Sequence, residues 1–213
     1  MKRPLPQVIL FLLMFSQSGF AQQAREVFNP QVPIVWLGLD FSQVRFIGDY
    51  AEFRTIDAAK KLIIALNDLM LSEPEKYDVG KMLGKQKVEQ RLDVTMVHNN
   101  GLDISALMAD SLGSHSHLKE QDIQKIIDDY DFKGSTGIGL MFNVESFNKP
   151  LGEGLIWVTF MNMNTKEILF TERLGEDPSG FGIRNYWAGS VYHVMARVRK
   201  KELKAWRVKY VNK

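Results

Sequence analysis

His115 and His117 stand two residues apart. On an extended segment, side chains at that spacing point the same way, so both imidazoles can face one metal ion. Asp110, with His98 or His193, would have to complete such a site. A metal centre needs three or four convergent ligands with supporting groups behind them, and only two are local here. The pair therefore reads as a polar loop before a helix cap. His115 and His117 are the candidates should a metal bind, but no metal and no cofactor is expected. Gly134-Ser-Thr-Gly137-Ile-Gly139 has the glycines of a phosphate loop but not its Gly-Lys-Ser/Thr end. It also leads into a strand, whereas a phosphate cradle needs a helix N-terminus. No Gly-x-Ser-x-Gly elbow occurs, and Asp128, Asp129 and Asp131 sit at a helix end as a solvated face. With no cysteine, thiol nucleophiles, thiol redox chemistry and cysteine-based zinc sites are excluded. No catalytic constellation emerges, so the chain is not read as an enzyme.

The segment Gly180-Phe-Gly-Ile-Arg-Asn-Tyr-Trp-Ala-Gly189 is of another kind. It combines glycines, which permit unusual backbone angles, with aromatic residues and with Arg184 and Asn185, which make directed hydrogen bonds. One reading is a contact surface of Arg184, Asn185, Tyr186 and Trp187, joined by Trp36 if it forms a ligand pocket. The other is packing, because Trp187 is in register with Val191, Val194 and Val198, and the spacing favours this one. Beyond it, Arg197, Arg199, Lys200, Lys201, Lys204, Arg207, Lys209 and Lys213 against Glu202 give +7 in 17 residues. A basic tail that also carries Trp206 and Tyr210 suits an anionic membrane surface or an acidic partner. Cations also suit a helix C-terminus, which accounts for part of the pattern.

The elements that must position these residues follow from periodicity. Ile34 to Phe41 is apolar on both faces, as in a buried strand. Ile56, Ala59, Leu62, Ile63, Leu66 and Met70 repeat with a helical period, with Thr55 as the N-cap. Val88 to His98 alternates and predicts a half-exposed strand. Ile123, Ile126, Ile127 and Tyr130 mark an amphipathic helix capped by Ser116. Strands over 138–144, 155–161 and 167–174, joined by turns at 150–154 and 162–166, predict an antiparallel meander, and a last helix runs from about Ile183 into the basic tail. The order β-α-β-α-β-β-β-α predicts a two-layer α/β (α+β) fold, a mostly antiparallel sheet with helices mainly on one face.

At the start of the chain, Lys2 and Arg3 precede the apolar run Val8 to Phe15, which gives way to small residues ending Gly19-Phe-Ala21. This is the pattern of a signal peptide cleaved after Ala21, placing the mature chain in the periplasm or outside the cell. Gln22 to Pro33 then reads as an extended leader, and residues 34–213 as one domain with the tail at 197–213. Without Lys2 and Arg3, the mature chain has 25 positive and 25 negative side chains, so its body carries −7 to balance the tail. Nucleic acid is not an expected partner of such an exported chain, and oligomeric state is not written in the sequence.

Val35-Trp-Leu-Gly-Leu-Asp-Phe-Ser42, Phe46-Ile-Gly48 and Gly180-Phe-Gly-Ile-Arg-Asn-Tyr-Trp-Ala188 resemble a group of small exported proteins of Bacteroidetes-type bacteria, one that brings no activity with it. In element order, Ile123 to Val198 is similar to the periplasmic α/β domains of the curli-secretion outer-membrane protein, of penicillin-binding-protein activator lipoproteins and of the TolB amino-terminal domain. In these a helix precedes a meander whose middle strand ends in a turn like Asn162-Met-Asn-Thr165-Lys166. The resemblance implies a non-catalytic domain that binds an envelope protein. The absent lipoprotein cysteine departs from the lipid-anchored members. The alternative expectation is a periplasmic protein that binds a small ligand or metal.

Overall fold

The computed structural model describes residues 24–48, 55–109 and 115–211. The expected signal peptide, Gln22, Asp110 and Lys213 lie outside these residues. A seven-stranded mixed sheet organises the chain. Its central strand, β5 (Ile138–Asn148), is buried at all eleven positions. It forms the predicted antiparallel meander with β6 (Glu153–Asn162) and β7 (Ile168–Glu176). On the other side of β5, two strands lie end to end and parallel to it. β1 (Ile34–Asp40) pairs with its first half and β2 (Arg45–Ile47) with its last residues. Short strands β3 (Val88–Gln90) and β4 (Met108–Ala109) extend the sheet beyond β1 and β2.

The expected α+β class, with helices mainly on one face, is what forms. On the larger face α1 (Ile56–Ser72), α2 (Val79–Leu83), α5 (Ile183–Arg197) and α6 (Leu203–Val211) pack over Trp36, Phe142, Phe147, Phe160 and Phe170. α4 (Glu120–Asp129) covers the other face, setting Ile123, Ile126 and Ile127 against Leu37, Met141 and Met161. Thr55 caps α1 as predicted, accepting from the Ala58 N–H at 3.1 Å. A π turn, Val198–Glu202, joins α5 to α6.

The strand expected over Val88 to His98 ends at Gln90, and the chain instead coils into α3 (Asp93–Asn100). Here the apolar alternation misleads, because two of the buried positions at helical spacing from Leu92 are polar, Thr95 and Asn99. They are buried because β1 needs them. β3 pairs only with Ile34 to Trp36, so the rest of that edge of β1 has no strand beside it. Thr95 donates to the Leu37 carbonyl, while Asn99 donates to the Leu39 carbonyl and accepts from the Phe41 N–H. From α1, Asn67 accepts the Leu39 N–H and donates to the Leu39 carbonyl, both at 2.8 Å. Gly38 makes this approach feasible, since a Cβ there would sit 2.6 Å from the Asn67 oxygen.

Two smaller differences concern termini. α4 begins after Lys119, whose N–H donates to Asp122 at 3.1 Å; Ser116, the expected cap, instead binds Arg173. The leader is not extended throughout, because Ala24 to Val27 form a helical turn. Val27 and Phe28 enter the main core, and Phe28 stacks on Phe170 with ring centroids 5.7 Å apart. The Lys85 ammonium secures this segment by donating to the carbonyls of Glu26 (3.2 Å), Asn29 (2.7 Å) and Val32 (2.9 Å). Burial pushes its pKa down to about 8, and the three carbonyls hold the charge there. Lys85→Met should strand those carbonyls, costing about 2 kcal/mol. Hydrogen exchange should then accelerate over 24–32 before any other segment; uniform acceleration would contradict a local staple.

Candidate functional site

The densest polar cluster lies on the α4 face of the sheet, where the register of β5 against β6 shifts between Val144 and Ser146. The bulge turns two successive side chains, Glu145 and Ser146, toward the loop that leads into α4. Glu145 has no exposed surface. One carboxylate oxygen accepts the backbone N–H of His117 (2.6 Å) and of Leu118 (2.7 Å), and the other accepts the Trp157 indole N–H (2.8 Å). Arg173 stands 3.7 Å away, supplying countercharge from β7. Three donors and a nearby cation are the conditions under which a buried carboxylate is tolerated.

Ser146, His115 and Glu153 form a second line. Ser146 Oγ lies 2.7 Å from His115 Nδ1, and His115 Nε2 lies 2.9 Å from Glu153 Oε2. Serine, histidine and carboxylate in a row suggest acyl transfer, but a nucleophile must reach substrate. Ser146 is fully buried and donates to the His115 carbonyl at 2.8 Å. The line therefore fastens the loop to the sheet. His117 Nε2 meets the Gln43 carbonyl at 3.0 Å, so the two histidines serve different partners. Among the described residues, no three potential ligands gather around a metal position.

Beside this cluster a polar chain crosses the sheet. Asp40 accepts from the Tyr130 hydroxyl (2.7 Å) and from Asn143 Nδ2 (3.1 Å); Asn143 Oδ1 accepts from Thr159, which is 2.8 Å from Thr171. Burial, then the neighbouring Asp40 carboxylate, raises the Tyr130 pKa well above its ordinary 10. In sequence Tyr130 reads only as part of a helix face, and none of these groups reads as a polar site. The signal was present in Asn143, Glu145 and Ser146, polar residues inside an otherwise apolar strand, with the adjacent pair Glu145-Ser146 breaking the alternation as a bulge does.

The second candidate region resolves into parts. Trp187 lies in the core, stacked on Phe147 at 4.5 Å, and Trp36 meets Phe142 edge-on at 4.9 Å. Both are 1% exposed, and each is occupied by its own neighbours. Tyr186 is half-buried beneath the Lys149 ammonium, 3.8 Å from its ring centroid. Arg184 is exposed, donating to Asn185 at 3.0 Å. Phe181, two residues before α5, is 96% exposed. In the tail, Trp206 is buried and Tyr210 stacks on Phe170 at 4.4 Å, so these aromatics face inward. Arg197 binds Glu176 and Glu202, Lys201 lies 3.7 Å from Glu202, Lys209 binds Glu172, and Arg207 donates to the Phe28 carbonyl. Arg199, Lys200 and Lys204 are exposed, as are Lys201, Arg207 and Lys209 despite their partners.

No protein-family model matches the chain, and no curated protein matches it. Among solved structures, it is similar to the C-terminal domain of LpoB from Salmonella enterica. The identity is 16%, covering 74% of this chain and 95% of that one, with a TM-score of 0.28. A likeness at that level carries neither an activity nor a site across.

Glu145→Gln puts an amide NH2 against one of the donors that the carboxylate now satisfies. Its expected cost is about 3 kcal/mol by urea denaturation, with exchange at His117 and Leu118 accelerated; a neutral substitution would mean the bulge does not anchor the loop. The raised Tyr130 pKa gives a pH dependence with a definite sign. Above pH 10 the unfolded chain loses the phenolic proton while the folded chain keeps it, so the stabilisation present below pH 10 declines as pH rises. Tyr77 and Tyr210, also raised, add to the decline. Urea midpoints followed from pH 9 to 11 should fall less steeply in Tyr130→Phe than in the parent, and identical slopes would refute the assignment.

Proposed function

We propose that the chain is an exported, non-catalytic domain of the cell envelope that binds another protein through the loop preceding α5. The observation that carries this reading is Phe181, 96% exposed on a segment whose backbone is held firmly. The Ser179 N–H donates to the Tyr186 carbonyl at 3.0 Å, and the Tyr186 N–H donates to Gly182 at 2.9 Å. His193 Nδ1 lies 2.8 Å from the Asp177 carbonyl. The loop lies so close to α5 that a Cβ on Gly189 would come within 2.3 Å of the Ser179 carbonyl oxygen. Gly180 and Gly182, at φ 122° and 79°, turn the chain so that Phe181 points away from its own domain. A held loop loses little conformational entropy on binding, and burying a phenylalanine gains about 3 kcal/mol. Ile183, two residues after Phe181, is a further exposed apolar residue, and Arg184 adds a cation, a combination suited to a partner's apolar pocket with an acidic rim.

The non-catalytic part of the reading is supported by the loop cluster, where Glu145, Ser146 and His115 spend their polar atoms on internal bonds. Export is supported by the amino-terminal sequence pattern. Among the described residues, no helix is long and apolar enough to cross a membrane. Contact of the tail with an anionic membrane surface would rest on its exposed cations, without help from the inward-facing Trp206 and Tyr210. To test the loop, p-benzoylphenylalanine is placed at position 181, and at exposed Leu71 as a control, and cells are irradiated. A discrete protein adduct from position 181 alone is expected. Phe181→Ser should leave the melting temperature unchanged; equal adducts from both positions, or none, would overturn the reading.

A further inference from the structure

A cavity of about 140 Å3 lies apart from the sites above, where α2, α5 and the π turn meet. Its floor is apolar, formed by the buried Met82 and Met195, with the Tyr192 ring beside them. Its rim carries both signs of charge, with Lys81 and Arg199 supplying cations and Glu75 and Asp78 supplying carboxylates. Opposite charges around one small cavity would ordinarily pair, yet these do not. Among the described residues, the Lys81 ammonium, the Arg199 guanidinium and the Glu75 carboxylate make no hydrogen bond or ion pair. Asp78 commits one oxygen to the Lys81 backbone N–H at 2.7 Å, capping α2. Lys76 also lines the cavity, but Glu73 holds it at 3.3 Å. Arg199 is the second residue of the π turn, and such turns recur where proteins bind ligands or carry out chemistry.

We propose that this cavity binds a small zwitterion, a carboxylate and an ammonium on an apolar body the size of a free amino acid with an aliphatic or aromatic side chain. The inference is independent of the protein-binding loop. Arg199 and Lys81 take the carboxylate, for which a guanidinium offers two parallel donors. Glu75 and Asp78 take the ammonium. Met82, Met195 and Tyr192 contact the apolar body, in a space close to the roughly 150 Å3 that accommodates benzene. A simple anion would face two carboxylates and a simple cation would face two positive groups, so a ligand bearing both charges satisfies the whole rim.

Isothermal titration of the full chain with leucine and with phenylalanine tests this directly. The half-ligands are 4-methylpentanoate, which lacks the ammonium, and 3-methylbutylamine, which lacks the carboxylate. At least one amino acid should bind, with both half-ligands weaker by ~10-fold or more, because each loses a set of charge-assisted hydrogen bonds. Arg199→Ala and Glu75→Gln should each weaken amino-acid binding by a similar factor while leaving the melting temperature unchanged, and Phe181→Ser should leave binding intact. Absence of heat with both amino acids at ~10 mM would overturn the proposal. So would equal binding of 4-methylpentanoate, or affinity unchanged in both charge variants.

Discussion

Leu39 has no neighbouring strand on the outer edge of β1, yet its N–H and carbonyl are both bonded, the carbonyl twice, to the side-chain amides of Asn67 and Asn99. A buried backbone group without a partner costs as much as a lost hydrogen bond, so a central strand that outruns its neighbour needs substitutes. Here the substitutes are delivered by two helices, which fixes where those helices lie. α1 must bring Asn67 to the edge while its Leu62, Ile63 and Leu66 fill the main core. α3 must begin immediately after β3 so that Thr95 and Asn99 reach Leu37 and Phe41. The next residue along β1, Asp40, starts the polar chain through Tyr130, Asn143, Thr159 and Thr171, which ties the β1 side of the sheet to β7. Satisfying one strand's edge thus organises the packing on both sides of the sheet.

The parts of this arrangement legible in the sequence are those where burial and hydrophobicity coincide. The meander, α1 with its Thr55 cap, and the amphipathic α4 could be read because their buried faces are apolar. α3 could not, because the residues it buries are chosen for hydrogen bonds with a strand some sixty positions earlier. The loop cluster was hidden for a related reason. His115 and His117 drew attention as candidate ligands, but Glu145 and Ser146, which determine what those residues do, lie within a strand that reads as core. Trp187 follows its period into the core, while Phe181, six positions earlier, is left outside.

Charge gives a different lesson. Residues 22–196 carry −7 and the tail +7, which suggests a strongly polar molecule. Folding brings two of the tail's cations back onto the sheet, where Glu172 and Glu176 of β7 receive Lys209 and Arg197. Such partly exposed pairs add little stability individually. They do engage acidic side chains of a strand that is paired on one side only, and an occupied, charged edge is a poor template for adding another strand.

Phe170 lies between the two ends of the described chain, with Phe28 stacked on it and Tyr210 stacked on it too. Arg207 then reaches the Phe28 carbonyl across 179 positions of sequence. Closing a loop of that length costs chain entropy, which the two ring stacks and the Arg207 hydrogen bond help to offset. Without α6, part of the Phe170 surface and the Phe28 segment would lose their cover. The ring acts as a clasp, holding the segment before β1 and helix α6 to one strand of the sheet.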